Sequence, residues 1–149
     1  MGQESVRKVR AVLDTNVIVS ALLFEGETSR LIDYWKQDRL TLILSPDIFA
    51  EMVRVLSYPK FQLEEKEIKI LLEEEILPSA EIINPKSRRK RYARDPQDDK
   101  FIHAALAGSA DLIISGDRHL LELKDSPVPI KSVREVLEFL SHHKTLLSR

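Results

Sequence analysis

This sequence predicts a parallel α/β sheet covered on both faces by helices, and two observations carry the prediction. Short apolar runs rich in Val, Ile and Leu alternate with amphipathic helical patterns, as β–α–β units require. Acidic stations recur along the same chain: VLDTN with Asp14, SPDIFAEM with Glu51, DPQDDKF with Asp98 and Asp99, and IISGD with Asp117. Three of these four stations sit where a strand-like run stops. An open parallel sheet gathers its strand ends along one edge, where ligands bind, so all four stations can meet in one pocket.

The elements follow in order. VRAVL, Val9 to Leu13, is a short buried strand stopped by Asp14. TNVIVSALLFEG is apolar enough for an interior helix ending at Gly26, and Thr28 or Ser29 can cap a second helix with Leu31, Ile32 and Trp35 on one stripe. LTLIL, Leu40 to Leu44, is the second strand. Ser45 then caps a helix that has Pro46 in its first turn and Glu51 about one and a half turns in. From Gln62 to Leu77 an amphipathic helix presents Leu63, Ile68, Leu71, Leu72 and Ile76 until Pro78 stops it. Ala80 to Asn84 is a third strand, and a proline-bracketed basic loop leads to the helix DDKFIHAALAGSA, closed near Gly108. Asp111 to Ser115 is a fourth strand, GDRHLLELK a short helix, VPIK a fifth edge strand, and SVREVLEFL a final helix capped by Ser132.

Composition narrows the classes. The chain has 149 residues, 43% of them hydrophobic, which is one domain's length with enough apolar mass for a core. A net charge of −1 with 32% charged residues gives no global field for nucleic acid, so any basic surface must be local. Cysteine is absent, which excludes disulfide scaffolds and thiolate metal sites and fits a reducing compartment. No apolar run approaches the roughly 18 residues of a membrane span, and MGQESVRKVR lacks the apolar stretch of a signal peptide. A cytoplasmic protein with no membrane association is expected.

Each acid has an ordinary structural reading beside its chemical one. Asp14 is a helix cap or a ligand, with Thr15 and Asn16 as neighbouring polar groups able to orient it. Glu51 is a surface residue or stands at the margin of the stripe formed by Phe49, Met52 and Val53. Asp98 and Asp99 open a helix, where the macrodipole favours acids. Asp117 caps the next short helix or faces the crevice with the Ser115 hydroxyl, Gly116 letting the backbone turn closely. Recurrence at strand ends favours the metal reading. Two carboxylates about 4 Å apart repel by roughly 4 kcal/mol at an effective dielectric near 20, so a cluster needs protons or a cation. An all-oxygen set selects Mg²⁺ or Mn²⁺. His103 and His119 read as packing or surface residues, and phosphate-loop glycine motifs are absent. Lys86, Arg88, Arg89, Lys90, Arg91 and Arg94 crowd the loop before the Asp98 station, and a polyanion laid there would gain affinity by counterion release. The expected nucleic-acid contacts are Arg88, Arg89, Lys90, Arg91 and Arg94, with Tyr92 able to stack on a base.

VLDTNVIVSALL, LSPDIFAEM, RDPQDDKFIHAALAGSADLIISGDRHLL and PIKSVREVLEFL together resemble the PIN-domain ribonucleases, from Val9 to about Leu140. The third of these blocks resembles the branch assigned to toxin components of toxin–antitoxin systems. The resemblance implies a three-layer α/β/α sandwich with a central parallel sheet, built as a single domain over 1–149, and cleavage of single-stranded RNA. It carries metal and catalytic roles onto Asp14, Glu51, Asp98, Asp99 and Asp117, with Asn16 and Ser115 in support. Spacing to Asp117 favours Asp99 by comparison with the wider family, whereas the DPxD pattern of the branch favours Asp98, so both stay candidates. The function expected is a metal-dependent endoribonuclease that uses one or two cations and in-line attack by water. A small antitoxin protein is the expected partner, and a homodimer or higher homo-oligomer the expected assembly. The alternatives are a non-catalytic RNA- or partner-binding module on the same fold, and a Mg²⁺-dependent aspartyl phosphohydrolase. The last wants a second aspartate where Asn16 stands.

Overall fold

The computed structural model describes residues 8–85 and 90–147. Lys86, Arg88 and Arg89 of the basic run lie outside them. Five strands, β1 (Val9–Leu13), β2 (Leu40–Leu44), β3 (Ala80–Ile82), β4 (Leu112–Ile114) and β5 (Ile130–Lys131), form one sheet in the order β3-β2-β1-β4-β5. Every pairing is parallel. Seven α-helices are described: α1 (Thr15–Leu23), α2 (Arg30–Lys36), α3 (Pro46–Leu56), α4 (Glu65–Ile70), α5 (Asp99–Ala107), α6 (Arg118–Leu121) and α7 (Val133–Leu147). With helices on both faces, the architecture is the expected three-layer α/β/α sandwich.

The three inner strands explain their own sequences. β1 and β2 are buried along almost their whole length, so they read as continuous apolar runs without alternation. α5 packs against β1, β2 and β4, and α2 packs against β2 and α7. Trp35 and Leu31 of α2 are fully enclosed, and the Trp35 indole donates to the Glu75 carbonyl at 2.9 Å.

Several expectations are corrected. The helix read from Gln62 to Leu77 begins only at Glu65, because Gln62 takes a left-handed conformation (φ 53°) after a 3₁₀ turn over Pro59–Phe61. Glu64 and Glu67 then close a capping box. Past Ile70 the backbone widens into a π-helical stretch, Leu71–Ile76, and tightens into a 3₁₀ turn, Leu77–Ser79, that contains Pro78. Ile68, Leu72 and Ile76, four residues apart, all stay buried through the wider turn. α1 stops at Leu23, before Gly26. Ser29 does not cap α2; its hydroxyl instead donates to the Gly26 carbonyl at 2.8 Å. β3 ends at Ile82, two residues early, as an exposed edge strand, and β4 is trimmed to Leu112–Ile114. α7 runs beyond the predicted Leu140 to Leu147.

The glycines carry one more correction. Gly116 has no left-handed φ, and a Cβ built there would meet nothing within 4 Å, so the turn makes no use of glycine's freedom. Gly108 does the opposite: a Cβ there would stand 2.6 Å from Ile43 Cγ2, a stiff β-branched side chain at the centre of the core. Gly108→Ala should therefore lower stability by about 1–3 kcal/mol through overpacking, while Gly116→Ala stays within about 0.5 kcal/mol. Urea denaturation of the two variants checks this, and equal midpoints would contradict it.

Candidate active site

Strand order reverses direction between β1 and β4, and a crevice opens at the carboxyl ends of those two strands. Asp14 is the first residue past β1. Its backbone N–H donates to the Ile114 carbonyl at 3.0 Å, which ties the two strand ends together. The carboxylate is buried; Oδ1 accepts from the Val17 N–H at 2.9 Å, capping α1, and Oδ2 accepts from the Ser115 hydroxyl. Ser115 is fully enclosed and its Oγ also accepts the Asp117 N–H at 2.9 Å, so one hydroxyl links the Asp14 carboxylate to the backbone of Asp117. Asp117 caps α6 through the His119 N–H at 2.9 Å. Both ordinary capping readings are thus correct, and neither removes the carboxylates from the crevice. Burial pushes the Asp14 pKa up, and the Ser115, Val17 and Gly116 donors pull against it.

Asp98 and Asp99 part company. Asp98 ends a 3₁₀ turn over Pro96–Asp98, half-buried, and its pKa is pushed up to about 6 by burial first, then by the charges of Asp117, Asp95 and Asp14, with Lys100 opposing. Asp99, the first residue of α5, is buried beside the cleft that Glu51 lines and is engaged by the segment before it. Its Oδ1 accepts from the Tyr92 and Ala93 N–H groups at 2.9 and 2.7 Å, and its Oδ2 lies 3.3 Å from Arg91 Nε. Successive helical residues point about 100° apart, so two adjacent acids at a helix start aim in different directions.

Glu51 projects from α3 and is held on three sides. Thr15 Oγ1 donates to Oε1 at 2.6 Å, Lys100 Nζ lies 3.3 Å from the same oxygen, and Arg54 Nη2 is 3.6 Å from Oε2. Two clefts are lined by these residues. Asp14, Asn16 and Asp117 line one of about 370 Å³, with Asn16 exposed on its rim. Glu51, Arg54, Arg91, Lys100 and His103 line a second of about 450 Å³. Arg94 lies outside both linings and meets His119, Nη1 to Nδ1 at 3.2 Å. Lys90 stands over the Tyr92 ring.

The donors fit a hard cation in kind. All are carboxylate oxygens, and the repulsion that raises Asp98 is what a divalent ion would relieve. Among the described residues no three His, Asp or Glu side chains stand close enough to enclose an ion as they are placed. Lys100 is not legible in the sequence as a site residue, although a lysine with only 13% of its side chain exposed is the kind of buried cation that signals a partner. The two histidines behave as expected of packing and surface groups; His103 contacts Tyr92 edge-on.

The PIN domain family matches the chain over residues 10–119, and the chain belongs to that family. PIN domains are usually nucleases. An uncharacterized protein of Methanocaldococcus jannaschii is 30% identical over 152 residues, covering 90% of this chain and 96% of that protein. Among solved structures, VapBC2 from Rickettsia felis, bound to a DNA fragment from its promoter, shares the fold with a TM-score of 0.55 and 15% identity, over 83% of this chain and 98% of that one. Among the described residues no helix is long and apolar enough to cross a membrane.

The Asp98 shift has a definite sign. Its folded-state value lies above the ordinary carboxylate value, so the folded protein holds that proton more tightly than the unfolded chain does. The resulting destabilisation is absent below about pH 4, grows as pH rises, and is complete above about pH 6. Asp98→Asn in EDTA should therefore stabilise the protein by about 1 kcal/mol at neutral pH, solvent screening included, and not at about pH 4. Paired thermal melts at the two pH values decide it; a gain independent of pH would contradict the assignment.

Proposed function

We propose that this PIN-domain protein is a metal-dependent endoribonuclease that cleaves single-stranded RNA. What supports the reading is the linkage of Asp14 to Asp117 through Ser115 on one cleft at the strand-order reversal, with Asp98 near enough to feel both charges. These three acids would hold Mg²⁺ or Mn²⁺, with Glu51 at the margin. A bound divalent ion supplies Lewis acidity there, polarising the phosphodiester and lowering the pKa of water. The chain's own groups do the rest. Ser115 fixes the rotamer of Asp14 by donating to Oδ2, and so orients its other lone pairs toward the crevice. Asn16 offers an exposed amide at the rim, able to donate to a phosphate oxygen or ribose hydroxyl. Lys100 and Arg54, which now neutralise Glu51, become phosphate donors when RNA enters.

The reading extends to the role of a toxin held by a small antitoxin, in a cytoplasmic, single-domain protein that self-associates. What supports it is the resemblance of the Asp98 to Asp117 block to that branch, together with the fold shared with VapBC2. Co-purification with the product of an adjoining small reading frame tests this part separately. A non-catalytic RNA-binding module would bind the same RNA and leave it intact.

Asp14→Asn keeps the shape and the cap while removing charge, and should cut Mn²⁺-dependent cleavage of single-stranded RNA by at least about 100-fold without lowering the melting temperature. Ser115→Ala should cost about tenfold as an orienting loss. Undiminished turnover by purified Asp14→Asn would refute the nuclease reading. Mn²⁺ at about 100 times its dissociation constant should stabilise the wild type by about 2.7 kcal/mol, and a flat thermal titration would count equally against it.

A further inference from the structure

The acid that sequence spacing offers as a metal ligand, Asp99, is engaged in something else. The residue is only 4% exposed. Both backbone N–H groups of the Tyr92–Ala93 step donate to a single oxygen, Oδ1. One turn further along α5, His103 Nε2 meets the Lys90 carbonyl at 2.5 Å, and its ring packs edge-on against Tyr92 with centroids 6.1 Å apart. Residues four apart lie on one helix face, so α5 grips the same stretch of chain at two points. Asp99 Oδ2 makes no hydrogen bond and has Arg91 Nε beside it at ion-pair distance, 3.3 Å.

We propose that Asp99 and His103 are positioning residues that clasp the basic segment 90–93 onto α5, so that Arg91 joins Lys100 and Arg54 in a phosphate-binding strip for single-stranded RNA beside Glu51. This rests on the reading of the neighbouring acids as an RNA-cleaving site. The clasp accounts for three facts at once. It explains two adjacent acids at one helix start: Asp98 serves the crevice and Asp99 the segment. It satisfies the N–H groups of a non-helical stretch, which a buried backbone must otherwise leave unpaired. It places Arg91 along the 450 Å³ cleft with Lys100 and Arg54, all three able to contact successive phosphates. Asp99 acts through hydrogen-bond acceptance, so a neutral acceptor should replace it, whereas a metal ligand needs the negative charge.

That difference gives the experiment, run on the full-length protein. Mn²⁺ affinity is measured by calorimetry, and RNA affinity by fluorescence anisotropy with a labelled, uncleavable 2′-O-methyl oligonucleotide in EDTA. Asp99→Asn should bind Mn²⁺ within about twofold and the oligonucleotide within about threefold of wild type, because the amide oxygen still accepts from Tyr92 and Ala93. Asp99→Ala should keep its Mn²⁺ affinity but bind the oligonucleotide about tenfold more weakly, with a salt slope lower by about 0.7 for one lost phosphate contact. Asp98→Asn, the contrast, should lose Mn²⁺ affinity by about 100-fold with RNA binding intact. If Asp99→Ala does not fold, His103→Phe replaces it, since it keeps the ring contact and loses the Lys90 bond; about threefold weaker RNA binding is expected. Loss of Mn²⁺ binding in Asp99→Asn, or wild-type RNA affinity in both Asp99→Ala and His103→Phe, would overturn the clasp. So would failure of the wild type to bind the oligonucleotide. A wild type that binds Mn²⁺ and RNA yet cleaves nothing refutes the nuclease reading alone.

Discussion

Everything at the working edge of this protein depends on keeping one carboxylate, Asp14, ionisable where water hardly reaches. It sits beyond the central strand, enclosed by β4 and α1, and desolvation raises its pKa. An unpaired buried carboxylate would be costly enough to neutralise itself. The fold instead supplies donors from three directions: the Val17 N–H at the start of α1, the Ser115 hydroxyl at the end of β4, and the Gly116 backbone. Those donors also dictate the geometry around them, since Ser115 must lie at the end of the strand beside β1, and Asp117 then hangs from the Ser115 oxygen.

From that anchor the edge divides into two electrostatic territories. On the β1–β4 side the acids face one another with little compensation, and Asp98 holds its proton to about pH 6. On the α3–α5 side two acids are answered: Glu51 by Thr15, Lys100 and Arg54, and Asp99 by two backbone donors and Arg91. One territory is short of positive charge and suits a cation; the other has cations to offer a phosphate chain. The Arg54–Glu51 pair, 3.6 Å long with Arg54 largely exposed, contributes about 1 kcal/mol or less, so Arg54 yields readily to a phosphate ligand.

Strand ends are legible in the sequence because an acid that halts an apolar run marks the point where a buried strand leaves the core. That pattern puts Asp14 and Asp117 just past strand ends, where the structure has them. The split between Asp98 and Asp99 is not legible, because spacing counts residues while the outcome depends on helix phase: a 3₁₀ turn ends at one and the α-helix begins at the other. Lys100 escapes notice for a related reason, since the burial that marks it comes from α3, about fifty positions away. In the fold, the apolar pattern picks out Ile68, Leu72 and Ile76 as buried, but their four-residue spacing does not disclose a π-helical stretch. Local contacts that end or redirect a helix, such as the left-handed Gln62, leave the weakest trace.

On the proposed reading, Asp14, Asp98 and Asp117 form one cation site from which Asp99 is excluded. Anomalous diffraction from crystals soaked in Mn²⁺, recorded at the manganese edge, tests it most directly. A peak is expected among the carboxylates of Asp14, Asp98 and Asp117, with the Asp99 carboxylate still accepting from the Tyr92 and Ala93 N–H groups. A peak coordinated by Asp99, or no peak at that strand edge at saturating Mn²⁺, would contradict it.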